Sequence, residues 1–251
     1  MNTVQNIFDF LNDYAPIESQ EGFDNSGFLF GNINCEVRKV ILSLDVTSDI
    51  INEAFEEKCN LIISHHPLIF DGIQNVFSDD PTGNKLIKLA KKDLNVICMH
   101  TNLDKKLVNK VLIETISDQD FEQEDDYLWS GNLSESKRLI DYIKEIKHKL
   151  SAPGVRYYDA GIPVKKIGCI GGSGGFALEK AYSKGIDTFI TADIKYSTFL
   201  TAKELGINLI DANHFSTENV VIPELKKILE KEFDDIEFII AANNIMEIQY
   251  A

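Results

Sequence analysis

No run of apolar residues in this chain approaches the ~18 that a membrane-spanning helix needs. The opening ten residues, Met1 to Phe10, contain neither Lys nor Arg and no long apolar stretch, which predicts the absence of a secretory signal. Basic residues are scarce: 25 Lys and Arg stand against 40 Asp and Glu, a net charge of −15. That sign argues against a nucleic-acid binder, because neutralising phosphates needs a basic face, although a local basic pocket for a small anion stays compatible with it. Cysteine is limited to Cys35, Cys59, Cys98 and Cys169, far apart and with no C-x-x-C. A closed structural zinc site therefore lacks its thiolates. Cys98 and Cys169 fall in strand-like runs and read as buried, reduced thiols, which fits a cytoplasmic location. Low-complexity segments are absent too.

The rest is ordinary globular composition, 44% hydrophobic and 26% charged, in 251 residues, enough for one large domain or two small ones. Ile7, Phe8, Leu11 and Tyr14 recur at helical spacing, predicting a helix over Val4–Tyr14. Strand and helix then alternate. Strands are predicted over Lys39–Leu44, Leu61–Ser64 and Asn95–Met99, with helices over Ser48–Lys58, Leu86–Lys92 and Lys105–Ile116. Residues 118–126 are acidic and polar, and mark a lobe boundary. Beyond it, Ser134 is expected to cap a helix whose stripe is Leu139, Ile140, Ile143, Ile146 and Leu150. Strands over Lys165–Ile170, Asp187–Thr191 and Ile207–Asp211 alternate with helices over Phe176–Lys184, Thr198–Leu205 and Glu218–Phe233. Strands over Glu237–Ala241 and Ile245–Gln249 finish the chain. This order predicts an α/β protein with mixed or parallel sheets flanked by helices, in two lobes: 1–126 with 236–251, and 127–235, with no inserted domain.

Four of the five histidines close predicted strands: His65 and His66 after Leu61–Ser64, His100 after Asn95–Met99, and His214 after Ile207–Asp211. That carboxyl edge is where open α/β sheets bind ligands. The fifth, His148, lies on a charged helix face and reads as solvated. Consecutive residues in a regular strand face opposite ways. At a strand end turned by Pro67, both imidazoles can face one cavity, where they would more easily serve two neighbouring ions than one. His100 and Asp104 are four apart, as are His214 and Glu218, so each pair shares a face if it lies on a helical turn. Neutral imidazole with carboxylate suits zinc, iron, manganese or cobalt. A strand ending in Ser64-His65-His66 and another in Thr191-Ala192-Asp193 give a faint echo between the halves. The run Gly168 to Gly175 sits between a strand and a helix. Gly171, Gly172, Ser173 and Gly174 are its candidate phosphate or anion turn. The alternatives are a tight turn needing positive φ, or a dinucleotide fingerprint through the match of Gly172 to Ala177 to G-x-G-x-x-A, which lies mid-chain.

Six segments, in order, resemble the dinuclear-metal-centre proteins called GTP cyclohydrolase I type 2-like, or the NGG-interacting-factor family. Gly22-Phe23-Asp24-Asn25-Ser26-Gly27-Phe28-Leu29-Phe30-Gly31 is similar to the family's W-D-N-x-G-L-x-x-G opening. Ser64-His65-His66-Pro67-Leu68-Ile69-Phe70 resembles its double-histidine signature, and His100-Thr101-Asn102-Leu103-Asp104 its H-x-x-x-D. Gly171 to Gly174 resembles its glycine turn, Ile190 to Tyr196 its T-G-[DE] segment, and His214-Phe215-Ser216-Thr217-Glu218 its H-x-x-T-E. Phe23 replaces the usual Trp and Ala192 the usual Gly. Ser197 stands where many members carry His, so that position offers no imidazole here.

The resemblance implies that His65, His66, Asp104, His214 and Glu218 hold two divalent ions (zinc, iron or manganese), with Glu218 bridging and His100 a near neighbour. It also implies two lobes and a ring-like homohexamer. The family name implies GTP, opened by attack on its purine ring while the glycine turn holds phosphate. Paired ions would serve phosphoester hydrolysis equally well. His100 and Asp193 are the candidate acid–base residues. A non-enzymatic, metal-binding adaptor is the rival class, though five ligands for two ions leave coordination positions open, which favours catalysis.

Overall fold

The computed structural model describes residues 1–245 together with Ile248 and Gln249. It divides into two compact units, the first formed by Met1–Leu103 with Ile222–Ile245 and the second centred on Asp104–Val221.

The first unit opens with α1 (Val4–Tyr14), where Thr3 and Asn6 exchange side-chain and backbone hydrogen bonds in a capping box, and Val4, Ile7 and Leu11 are buried. β1 (Gly27–Phe30) and β2 (Lys39–Ser43) follow, then α2 (Ser48–Glu56), capped by Thr47 Oγ1 accepting from the Ile50 amide at 3.2 Å. β3 (Leu61–Ser64) leads through a long loop to α3 (Pro81–Lys91), which starts on an Asp80 cap with proline at its first position. β4 (Asn95–Cys98) and the single turn α4 (Thr101–Leu103) end this stretch.

The second unit begins on a π-helical turn, Asp104–Val108, continued by α5 (Asn109–Ile116), then β5 (Gln119–Gln123), β6 (Trp129–Lys137) and α6 (Leu139–Lys149). β7 (Arg156–Tyr158), β8 (Val164–Cys169) and α7 (Leu178–Ser183) precede β9 (Thr188–Thr191) and α8 (Tyr196–Leu205), which stops at Gly206 in the left-handed region. β10 (Asn208–Asp211) runs into the short α9 (His214–Glu218). The chain then returns through α10 (Val221–Glu232) to β11 (Glu237–Ile240) in the first unit.

Both sheets are mixed. The first runs β1-β4-β3-β2-β11, with β4, β3, β2 and β11 parallel and β1 antiparallel at the edge. The second runs β5-β6-β8-β9-β10-β7, with β8, β9 and β10 parallel and the flanking strands antiparallel. Every residue of β3, β4, β9 and β10 is buried, as parallel strands covered on both faces require. In β9 and β10 the alternation is explicit. Ile190 and Ile210 pack with α5 and α6, whereas Phe189 and Leu209 pack with α7 and α8 on the other face.

Several elements depart from the sequence reading. Within residues 118–126, expected as a lobe boundary, β5 forms, because its backbone pairs with β6 at the edge of the second sheet. Ser134 lies in β6, so α6 starts at Leu139 with no side-chain cap; Ile140 points to solvent, and Tyr142 takes the core position on its stripe. The chain crosses between units at Leu103 and Val221, since Leu112, Ile113 and Ile116 of α5 join the second core. In turn α10 lies with the first unit, where Phe233 meets Phe10 edge-on at 5.5 Å. The strand expected over Ile245–Gln249 falls partly on Met246 and Glu247, outside the described residues.

Candidate metal centre

Because β2, β3 and β4 are parallel and in register, with Ser43 beside Ser64 and Ser64 beside Cys98, their carboxyl ends share one edge of the first sheet. The residues just past those ends therefore converge. The amides of His65 and His66 extend the ladder by donating to the carbonyls of Ser43 (3.3 Å) and Leu44 (2.8 Å), and Met99 donates to Ser64 at 2.9 Å. Ring centroids of His65 and His66 are 5.1 Å apart, His65 and His100 5.2 Å, and His66 and His100 5.6 Å. One ring nitrogen from each of the three lies within 4.8 Å of the others. The turn at Pro67 thus brings both consecutive histidines to one side.

Each imidazole is oriented through Nδ1. His65 Nδ1 donates to the Met99 carbonyl, His66 Nδ1 to Asp45 and His100 Nδ1 to Asp24, all at 2.8 Å. A carbonyl or carboxylate oxygen only accepts, so Nδ1 carries the hydrogen and the neutral ring keeps its lone pair on Nε2. That is the arrangement in which metal-ligating histidines are held by an outer oxygen, and the donor set fits a divalent cation.

Asp24 is the most tightly held of these oxygens. Its side chain is fully buried, and it accepts from His100 Nδ1, the Thr101 amide (2.9 Å) and the Thr101 hydroxyl. Burial alone would raise its pKa, but the hydrogen bonds from His100 and Thr101 outweigh it and hold the carboxyl well below the usual carboxylate range. Sequence reasoning passed over Asp24, although it lies in the Phe23-Asp24-Asn25 segment. Asp45 was missed too, and its signal was an acidic residue just past a strand end, the same signal that marked the histidines.

The second unit repeats the arrangement. β8, β9 and β10 are parallel, and past their carboxyl ends come the glycine turn, Asp193 and His214. His214 opens α9 behind Asn213, whose side chain caps the helix by accepting from the Ser216 amide at 3.2 Å. Its Nδ1 donates to Asp193 Oδ2 at 2.7 Å, and its Nε2 lies 3.0 Å from Oε2 of the buried Glu218. His214 and Glu218 therefore do share one helical face, as their spacing predicts. Asp193 and Asn213 both take positive φ, 50° and 77°, the kind of local strain that gathers at functional sites. Asp104 is buried and opens the π turn, where Asn109 Nδ2 donates to its carbonyl at 3.1 Å. His100 and Asp104 are not on one regular turn: His100 precedes α4, and the π turn starts at Asp104.

The glycine turn ties three of its amides to neighbouring side chains. The Gly171 amide donates to Asn109 Oδ1 (2.6 Å), that of Gly172 to Thr217 Oγ1 (3.0 Å) and that of Gly174 to Thr191 Oγ1 (2.8 Å). These three amides are taken by Asn109, Thr217 and Thr191. The glycines are also needed for steric reasons. Gly172 has φ +60°, and a Cβ there would overlap Oε1 of Glu218 and lie 3.3 Å from Cε1 of His214. The turn is a floor against which the Glu218 carboxylate lies. Cys98 and Cys169 are free and buried, as the sequence predicts, and burial pushes Cys98 up to about 11.

Fold and donor set define an α/β protein of two units, with imidazoles that could hold a metal ion at the carboxyl edge of the first sheet. Among the described residues no helix is long and apolar enough to cross a membrane. Residues 2–245 match the Duf34/NIF3 (NGG1p interacting factor 3) family, and the chain belongs to it. It is 33% identical over 250 residues to a GTP cyclohydrolase 1 type 2 homolog of Clostridium perfringens, covering 95% of each chain. A GTP cyclohydrolase 1 type 2 of Helicobacter pylori is 34% identical over 223 residues, 87% of this chain and 88% of that one. A Staphylococcus aureus hypothetical protein of known crystal structure superposes with a TM-score of 0.91 at 31% identity, over 99% of both chains.

Proposed function

We propose that the protein is a metal-dependent hydrolase of a nucleotide, holding two divalent cations through His65, His66, Asp104, His214 and Glu218. The observation that carries this reading is the set of Nδ1 contacts: every histidine at a sheet edge is turned by an outer oxygen so that Nε2 is its donor atom. Cations bound there would supply Lewis-acid polarisation of substrate oxygens and an electrostatic clamp. Asp24, Asp45 and Asp193 hold the rings in place, and Glu218 supplies a buried negative charge against the Gly172 floor. His100 stands beside His65 and His66 as a further donor or acid–base group. The names of the Clostridium and Helicobacter relatives support GTP as the substrate to try first.

The second reading, a metal-binding adaptor without turnover, draws on both acid–base candidates being engaged in His–Asp pairs: His100 with Asp24 and Asp193 with His214. A homohexamer in the cytoplasm is part of the same proposal, and light scattering showing a monomer at micromolar concentration would remove the hexamer. The deciding experiment compares wild type with Glu218→Gln on GTP and on a generic phosphodiester, with metal content measured in the same samples. The variant keeps the side-chain volume and loses the charge, so the rate should fall by orders of magnitude, on the order of 10²-fold or more, with the fold intact. Equal trace rates for both proteins on every substrate favour the adaptor.

A further inference from the structure

Two aromatic rings stand uncovered beside the imidazole cluster of the first unit. Phe23 is 65% and Phe70 48% exposed. Their centroids are 6.3 Å apart at 41°, and the Phe70 ring lies 6.3 Å from that of His100, edge-on at 76°. Neither ring sits on a loose segment. Asn25 Nδ2 donates to the Ile69 carbonyl at 2.7 Å, tying the chain behind Phe23 to the residue before Phe70. Asp24, next to Phe23, is locked to His100 and Thr101 by part-buried hydrogen bonds. A frame of part-buried polar contacts thus holds two exposed aromatic rings at the rim of the donor cluster.

Exposing two large rings forgoes the burial that ordinarily places phenylalanine inside. Stacking on another π face recovers it, and it does so for a planar ring far better than for a sugar, a phosphate or an aliphatic chain. With centroids 6.3 Å apart and planes at 41°, the two rings are tilted neighbours, so a base stacked on one lies beside the other. We propose that Phe23 and Phe70 are the platform on which the base of a nucleotide substrate stacks, presenting the edge of the base to His100. This rests on the hydrolase reading above and names the residues that select for a nucleobase.

The test uses the full chain, metal-loaded and chelated, and compares binding of GMP with that of ribose 5-phosphate, which differ by the base. Wild type should prefer GMP. Phe23→Leu and Phe70→Leu keep apolar bulk but lose the π face, and each should weaken GMP by about 10- to 100-fold while leaving ribose 5-phosphate, metal content and sedimentation unchanged. Phe70→Tyr should restore GMP binding. Equal binding of GMP and ribose 5-phosphate, or unaltered GMP binding in the leucine variants, overturns the platform. A changed sedimentation coefficient in those variants also overturns it, by assigning the rings to a contact between copies. A preference for GMP that persists in chelated protein supports the platform, and trace rates on every substrate would then remove the hydrolase reading alone.

Discussion

Replacing Gly172 by alanine separates a site-building role for the glycine turn from an anion-binding one. The new methyl group would overlap Oε1 of Glu218, with Cδ at 3.1 Å and His214 Cε1 at 3.3 Å. The backbone cannot easily retreat. The Gly172 carbonyl accepts from the Ala192 amide (2.8 Å), the Thr191 hydroxyl (2.9 Å) and the Gly174 amide (3.0 Å), and its own amide is held by Thr217. The carboxylate must give way instead, by about 1 Å or more to regain normal contact. Alanine at φ +60° costs about 1–2 kcal/mol by itself, and displacing a buried, paired carboxylate adds about 1–3 kcal/mol. Gly185→Ala supplies the control: φ there is +72° and nothing lies within 4 Å of a Cβ, so it carries the strain without the collision. With metal chelated, Gly172→Ala should unfold at lower urea than Gly185→Ala by about 1–3 kcal/mol. It should also bind less zinc or manganese when dialysed against either ion. Equal stability losses in the two variants, with full metal retention in Gly172→Ala, would refute the reasoning.

Three other perturbations follow from the same contacts. His65→Ala and His214→Ala should each remove at least one ion per chain with far-ultraviolet circular dichroism unchanged, and two ions retained in both variants would sink the ligand assignment. Asp24→Asn turns an acceptor of three hydrogen bonds into a poorer one and should cost about 1–3 kcal/mol in urea unfolding. Asp24 is depressed in the folded state, so its stabilisation is present above the unfolded value of about 3.9 and is lost only as pH falls through the lower folded value. The gap between wild type and Asp24→Asn should stay constant from pH 7 to about 4 and close in stronger acid. Glu124 offers a test away from the site. Burial would raise it, but hydrogen bonds from Ser130 and Lys184 and the charges of Lys166 and Lys184 hold it at about 2. Glu124→Gln should lose about 1–2 kcal/mol at neutral pH, since its lysine partners are partly screened by solvent. It should also flatten the decline in melting temperature between about pH 5 and 2, and an unchanged decline would argue against the network.

Much of the fold could be read before the structure because burial on both faces makes parallel strands continuous apolar runs. Leu61–Ser64 was predicted with those bounds, and Asn95–Cys98 and Asn208–Asp211 to within a residue. β1, β5, β6 and β7 were not legible. Each pairs antiparallel with a neighbour, and β5 is wholly exposed, so pairing and not hydrophobicity makes it a strand. The π turn escaped for a related reason, since one continuous helical pattern fits Lys105–Ile116 whether or not a residue is bulged out. At the candidate site the donors were legible from their place at strand ends. The oxygens that orient them were not, because nothing local links Asp24 with His100, or Asp45 with His66; only the sheet order brings them together.

The pairing of β11 with β2 has a temporal consequence on the ribosome. Val40, Ile41 and Leu42 gain their outer neighbours only from Phe238, Ile239 and Ile240. At about 5–20 residues per second, the ribosome needs on the order of ten seconds or more to travel from Leu103 to that last strand. Throughout the wait, β2 presents an unpaired, apolar edge, the feature most prone to intermolecular strand addition. The second unit, whose sheet closes at β10, has all its strands synthesised before the first unit is complete. Released chains that end before Phe238 should therefore contain a protease-resistant second half and a first half that still depends on chaperones.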